Sequence, residues 1–144
     1  MSLFPSFWLR KLFRSPLPNK PEGRDPRHVL GELGERAALD HLKHEGYRIR
    51  AVNYRTTKGE IDIIAQEKGV IVFVEVRTLS SERYGDAFST VKEPKRQRMT
   101  GTAHHYLDKY KLRDMDWRFD FVSVIIGKDE IPRVELMRDA FQPA

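Results

Sequence analysis

Two short blocks, Gly59-Glu60-Ile61-Asp62-Ile63-Ile64-Ala65 and Val70-Ile71-Val72-Phe73-Val74-Glu75-Val76-Arg77, are joined by a connection that ends in Lys68-Gly69. β-Branched and aromatic residues dominate both blocks and a turn dipeptide separates them, so they read as a β-hairpin. If Lys68-Gly69 is a two-residue turn, paired residues have numbers summing to 137. Asp62 then faces Glu75, and Glu60 faces Arg77. Side chains alternate along a strand, so these four share one face, while Ile61, Ile63, Val74 and Val76 fill the other. Ile64 and Phe73 continue the first face. Directly opposed side chains stand ~5 Å apart, and opposed like charges destabilise a sheet. Asp62 against Glu75 therefore requires a cation. The donors on offer are hard oxygens without histidine or sulfur, a set that suits Mg²⁺ or Mn²⁺ better than zinc. A divalent ion held there beside the fixed charge of Arg77 is suited to phosphodiester hydrolysis. The alternative is a solvated edge on which Arg77 simply pairs with Glu60 or Glu75. A slip of one residue in register would also remove the facing pair.

Outward from the hairpin, Leu30, Leu33, Ala37, Ala38, His41 and Leu42 recur at helical spacing, and Gly46 supplies a stop. Tyr47 to Val52 alternates as a strand, and Thr56-Thr57-Lys58-Gly59 is a turn. Residues 78–90 are polar, contain Gly85 and read as a loop. Pro94 opens a second helix as a first-turn proline, with an apolar stripe of Met99, Ala103, Tyr106, Leu107 and Tyr110. Trp117 to Ile126 is a long strand and Arg133 to Met137 a short one, separated by a turn at Gly127-Lys128-Asp129. The order α-β-β-β-α-β-β describes an α/β fold, a mixed sheet of about five strands flanked by helices around one core.

The chain has 144 residues, which fits one domain with a buried core. It has no cysteine, which excludes disulfides, thiolate nucleophiles and cysteine-bound zinc or iron–sulfur groups and fits a cytoplasmic setting. No apolar run approaches the ~20 residues of a membrane span. Of the net charge of +5, most belongs to residues 1–27, which hold Arg10, Lys11, Arg14, Lys20, Arg24 and Arg27 against Glu22 and Asp25. The basic pI is thus a property of a proline-rich tail, expected to be poorly ordered, more than of the domain 28–144. Phe4, Phe7, Trp8 and Phe13 alternate with cations in that tail, a pattern that fits contact with an anionic membrane surface or a partner.

Several blocks in order, Gly34-Glu35-Arg36-Ala37-Ala38, Gly46-Tyr47, Asn53-Tyr54-Arg55, the hairpin itself, Arg118-Phe119-Asp120 and Asp139-Ala140-Phe141, resemble those of the YraN-like proteins. That bacterial family is assigned to the restriction-endonuclease-like (PD-(D/E)xK) superfamily, near the archaeal Holliday junction resolvases. The resemblance spans roughly residues 28–142. It implies a restriction-endonuclease-like core: a helix, a three-stranded antiparallel meander, a crossing helix and further strand. It also implies a metal site in which the helix glutamate, the aspartate and the Glu-x-Lys motif correspond to Glu35, Asp62 and Glu75-Val76-Arg77, with the Val76 carbonyl as a plausible third metal ligand. Arg77 departs from the superfamily's lysine. Arginine stays protonated and cannot act as a base, so it is cast as a phosphate clamp, with Lys92 or Lys95 assisting metal-bound water.

Lys92, Lys95, Arg96 and Arg98 gather where the second helix begins. Cations at a helix N-terminus are unfavourable unless an anion comes near, which suits contacts to a nucleic-acid backbone. His41 and His44, and His104 and His105, lack a convincing third ligand; His41 reads as partly buried and the others as surface residues. Trp117 and Tyr84 are candidates for base stacking. Three functions remain: a Mg²⁺- or Mn²⁺-dependent endonuclease acting on branched or single-stranded DNA, a nucleic-acid-binding protein that kept the fold without catalysis, and an adaptor recruited through its tail. A second copy of the chain is a further candidate partner.

Overall fold

The computed structural model describes residue 23, residues 25–80 and residues 91–144. The expectations about the aromatic residues of the tail and about Tyr84 lie outside the described residues. The first helix, α1 (Pro26–His44), starts inside the stretch assigned to the tail. Asp25 caps it by accepting the Arg27 amide at 2.9 Å, and Pro26 fits the first turn because its missing N–H would have no partner there. At the other end the Gly46 amide donates to the Lys43 carbonyl and the Tyr47 amide to the Leu42 carbonyl. Gly46 takes φ +96°, the left-handed value this closing motif needs.

Three antiparallel strands follow, β1 (Arg48–Thr56), β2 (Gly59–Glu67) and β3 (Val70–Ser80). Helix α2 (Glu93–Lys109) then leads to β4 (Trp117–Ile126) and β5 (Pro132–Phe141). The sheet order is β1-β2-β3-β4-β5, with β3 and β4 parallel and the other neighbours antiparallel. Parallel neighbours need a crossover, and α2 lies within it. The expected fold class and element order therefore hold. Four strands are longer than their sequence patterns suggested: β1 continues to Thr56, β2 to Glu67 and β3 to Ser80, and β5 reaches Phe141.

Each face of the sheet is covered by one helix. Ala37, Ala38 and Leu42 of α1 pack on Ile63, Ala65, Val72, Val74, Val122 and Val124. Met99, Ala103, Tyr106 and Leu107 of α2 pack on Ile64, Ile71, Phe73, Phe119 and Phe141. A strand buried on both faces reads as a continuous apolar run, and Ile71 to Val74 are fully buried. Tyr110, expected in the α2 stripe, is instead 47% exposed. It is the C-cap residue, where the helix ends and its face no longer follows the sheet.

The hairpin turn is the expected one, with positive φ at both Lys68 and Gly69. The register sums to 137 from Glu67–Val70 to Ile63–Val74. One residue breaks the alternation. Ile61, expected beside Ile63, packs in the α2-side core. Opposite it, β1 carries Asn53 at φ +52° between the pairs Val52–Ile63 and Tyr54–Ile61. This left-handed residue bends the edge where β2 leaves β3.

Helix α1 meets β3 at Gly34. A Cβ placed there would lie 1.7 Å from Thr78 Oγ1. Replacing Gly34 with Ala should therefore lower stability by about 1–3 kcal/mol in urea unfolding. Adding Thr78→Gly should recover part of the loss. A fully stable Gly34→Ala variant would show that α1 does not press on β3 in this way.

Candidate functional site

The β2–β3 ladder ends at Ile63–Val74. Immediately beyond it the Val76 amide donates to Asp62 Oδ2 at 2.8 Å, so a side-chain carboxylate replaces a backbone acceptor. The two strands fork at that point, and the candidate site occupies the fork. Asp62 and Glu75 are close enough for the charge of Asp62 to raise the pKa of Glu75. They are not ladder partners, however, and neither are Glu60 and Arg77. Glu60 pairs instead with Arg55 of the neighbouring strand, at 3.4 Å. The expectation of four charges on one regular face is corrected accordingly: the bend opposite Asn53 ends the regular register before it reaches them.

Glu75 is only 2% exposed. Its Oε1 accepts a close ion pair from Lys95 Nζ and lies 3.4 Å from Arg77 Nε. Burial, then the neighbouring Asp62, push the Glu75 carboxyl up to about 7 against the pull of Lys95. Burial also raises Asp62, opposed by the Val76 amide and Lys95. Glu35 is raised first by burial and then by Asp62. Its buried Oε1 has no hydrogen-bond partner among the described residues. A cleft of about 580 Å³ brings Glu35, Asp62, Val76 and Arg77 to one wall system with Arg27, Leu30 and Gly31 of α1. The Gly34–Thr78 contact is what lets α1 carry Glu35 this close to the fork.

The structure thus gathers Glu35, Asp62, Glu75, Val76 and Arg77 and adds Lys95 to them. The other basic residues of α2 spread out. Lys92 and Arg98 are exposed, and Arg96 is half-buried with its Nε lacking a partner among the described residues. Trp117 packs edge-on against Phe73, Phe119 and His104, which places it at the core margin. His41 is buried, and burial lowers its pKa.

The donors at the fork fit a hard divalent cation. They are oxygens, burial raises all three carboxyls, the charge of Asp62 raises Glu75 and Glu35 further, and Glu35 presents an unsatisfied oxygen. No group of three or more His, Asp or Glu is already gathered as a metal cage among the described residues. Lys95 would have to yield Glu75 Oε1 to an incoming ion.

A second charged cluster, not foreseen as a unit, lies at the far end of β2. Fully buried Asp120 accepts the Tyr47 hydroxyl at 2.6 Å, Arg118 Nε at 2.8 Å and the Asp139 amide at 2.9 Å. Glu67 accepts from Arg118 and Arg138. Burial alone would raise Glu67, but the bonds from Arg138 and Arg118 hold it below the usual range. Every polar group is satisfied, so the cluster ties β2, β4 and β5 to the end of α1. Bonded partners within it lie up to 73 residues apart, which is why sequence spacing gives no sign of it.

The raised carboxyl of Glu75 has a measurable consequence. Between pH ~4.5 and ~7 the folded chain holds a proton there that the unfolded chain has lost, so this group withdraws stability as pH rises through that window. In chelator, Glu75→Gln should remove that part of the slope, and its melting temperature should gain on the wild type from pH 5 to pH 8. Parallel pH profiles for the two proteins would show that Glu75 ionises normally.

The family model described as "Uncharacterised protein family UPF0102" matches residues 34–124. A UPF0102 protein of Alkaliphilus metalliredigens is 45% identical over 78% of this chain and 96% of its own length. A second, from Symbiobacterium thermophilum, is 44% identical over 78% and 95%. A third, from Moorella thermoacetica, is 42% identical over 80% and 97%. The matched segment runs from the helix that carries Glu35, through the forked hairpin, into β4, and with these relatives it places the chain in the UPF0102 family, the YraN-like proteins that its motifs resemble.

Proposed function

We propose that the chain is a divalent-metal-dependent endonuclease-like protein that hydrolyses phosphodiester bonds in branched or single-stranded DNA. The observation that carries this reading is the buried pair Asp62 and Glu75, in which the charge of Asp62 raises Glu75, with the unsatisfied Glu35 oxygen in the adjoining cleft. Asp62, Glu75 and the Val76 carbonyl would hold Mg²⁺ or Mn²⁺. When bound, the ion supplies an activated water and stabilises charge on the phosphate.

The chain's own residues supply the rest. Arg77 borders the cleft, and a guanidinium makes a phosphate clamp and not a base. Lys95 orients Glu75 through their ion pair, and where Glu75 serves as a metal ligand the freed ammonium would face the substrate phosphate. Glu35, on α1, orients water in the cleft through its free oxygen. Exposed Lys92 and Arg98 neutralise backbone phosphates beside the cut.

One observation favours the second reading, a nucleic-acid-binding protein without catalysis. Lys95 and Arg77 both already engage Glu75, so the charge a metal would neutralise is partly met from within. A panel of branched, single-stranded and duplex DNA incubated with the protein and Mn²⁺ separates the two. The nuclease reading predicts cleavage that Arg77→Lys largely keeps and Arg77→Ala reduces by about 100-fold or more, the scale of losing a charge-stabilising donor. Absence of cleavage by wild type and Arg77→Lys on every substrate would favour the binder. Cleavage undiminished in Arg77→Ala would exclude the clamp.

A further inference from the structure

The exposed ring of Tyr110 ends a continuous cationic and aromatic surface that has no part in the carboxylate site. Its ring lies 4.6 Å from Tyr106, with Lys109 Nζ 5.6 Å from its centroid. Tyr106 in turn receives Arg50 Nε on its hydroxyl at 2.9 Å and meets Tyr54 edge-on at 5.2 Å. Tyr54 also bonds His105, the residue before Tyr106, at 2.8 Å. Nearer the start of α2 the β1–β2 turn closes on the helix: the Lys58 side chain covers Gly101, and Gly59 abuts Arg98. Arg98 is three residues from Lys95, which holds Glu75. From Lys95 to Tyr110 the helix spans about 22 Å at ~1.5 Å per residue.

Cations predominate along this surface. Arg50, Lys58, Arg98 and Lys109 are all exposed. Asp108, on the last turn of α2, is held by Arg113 through both carboxylate oxygens, and Glu60 by Arg55. A polyanion is the complementary partner. The exposed Tyr110 ring adds a second requirement. It offers a π-face, and a base can stack on it only when unpaired, because duplex bases are already stacked on one another. A lipid surface would match the cations but has no use for a ring flanked by them on a helix end so poor in aliphatic groups.

We propose that the groove between α2 and β1 is a single-stranded nucleic-acid track, in which Arg50, Lys58 and Arg98 follow the phosphates and Tyr110 stacks a base about 22 Å from the carboxylate fork. The inference deepens the nuclease reading by naming the strand form that enters the site. It rests on that reading only for its direction along α2, and it needs no catalysis.

Fluorescence anisotropy with labelled oligothymidylate, oligouridylate and a mixed-sequence duplex, all in EDTA, tests it. Tyr110→Ala should weaken single-strand binding by about tenfold or more, the effect of losing one stacked base. It should leave duplex affinity and the salt slope unchanged. Tyr110→Phe, which keeps the ring, should bind like wild type. Lys58→Ala and Arg98→Ala should each reduce the logarithmic salt slope by about 0.7, the single-strand value per phosphate contact. The deoxyribose and ribose strands both fit the track, and the tighter of the two identifies its natural polymer. Unchanged single-strand affinity in Tyr110→Ala, or equal losses on single strand and duplex, would overturn the track. Because no metal is present, an inactive protein would not disguise either result, and a failed track would leave metal-dependent cleavage open to its own test.

Discussion

Two carboxyls buried side by side set the terms for this structure. Burial disfavours the ionised form of each, and the charge of Asp62 adds to that penalty at Glu75. Asp62 and Glu75 meet that cost with borrowed partners: the Val76 amide on one, and Lys95 and Arg77 on the other. Every one of those partners depends on a larger feature of the fold. The amide is free because β2 leaves β3. Lys95 arrives because a parallel β3–β4 pair forces a crossover that brings the first turn of α2 over β3. A chain seeking stability alone would place apolar residues here, since replacing buried charged groups with well-packed apolar ones is often neutral or stabilising. Keeping the pair buried therefore costs stability.

Much of this was legible in the chain. The Lys68-Gly69 turn fixes the hairpin register, and β-branched runs locate both strands. The order of helices and strands follows from periodicity alone. The register argument failed beyond Ile63, because it assumed a regular ladder. Asn53 in the left-handed region on the neighbouring strand breaks that regularity. Asparagine tolerates such a conformation better than most residues, so the signal was present in Asn53 but carried no hint of which strand it would bend. The start of α1 was placed too late for a similar reason: dense prolines argue against helix, yet the last of them, Pro26, sits where a helix accepts one.

Lys95 shows a different kind of partial legibility. Cations crowding a helix N-terminus are unfavourable unless an anion comes near. For Lys95 the anion is internal, since Glu75 of the same chain takes it. Lys92 and Arg98 remain exposed and retain the original reading as contacts for an external phosphate. Tyr110 is the converse. Helical spacing assigned it to the core, but the helix terminates there and the ring projects half into water. The same helix therefore touches the carboxylate fork at its first turn and presents an aromatic platform at its last, with cations between. Such an arrangement relates site and groove through one rigid element. The Asp120 cluster contributes in another way, holding the far ends of the strands so that the fork opens against a fixed frame.

The account stands on the fork being a metal site, and manganese titration by calorimetry measures that directly. Wild-type protein at pH 8 should bind one Mn²⁺, and binding should weaken at pH 6, because the carboxyl held near pH 7 must lose its proton to become a ligand. Asp62→Asn should abolish the binding while the protein stays folded. Equal Mn²⁺ affinity in wild type and Asp62→Asn, or no binding by wild type at pH 8, would contradict the account.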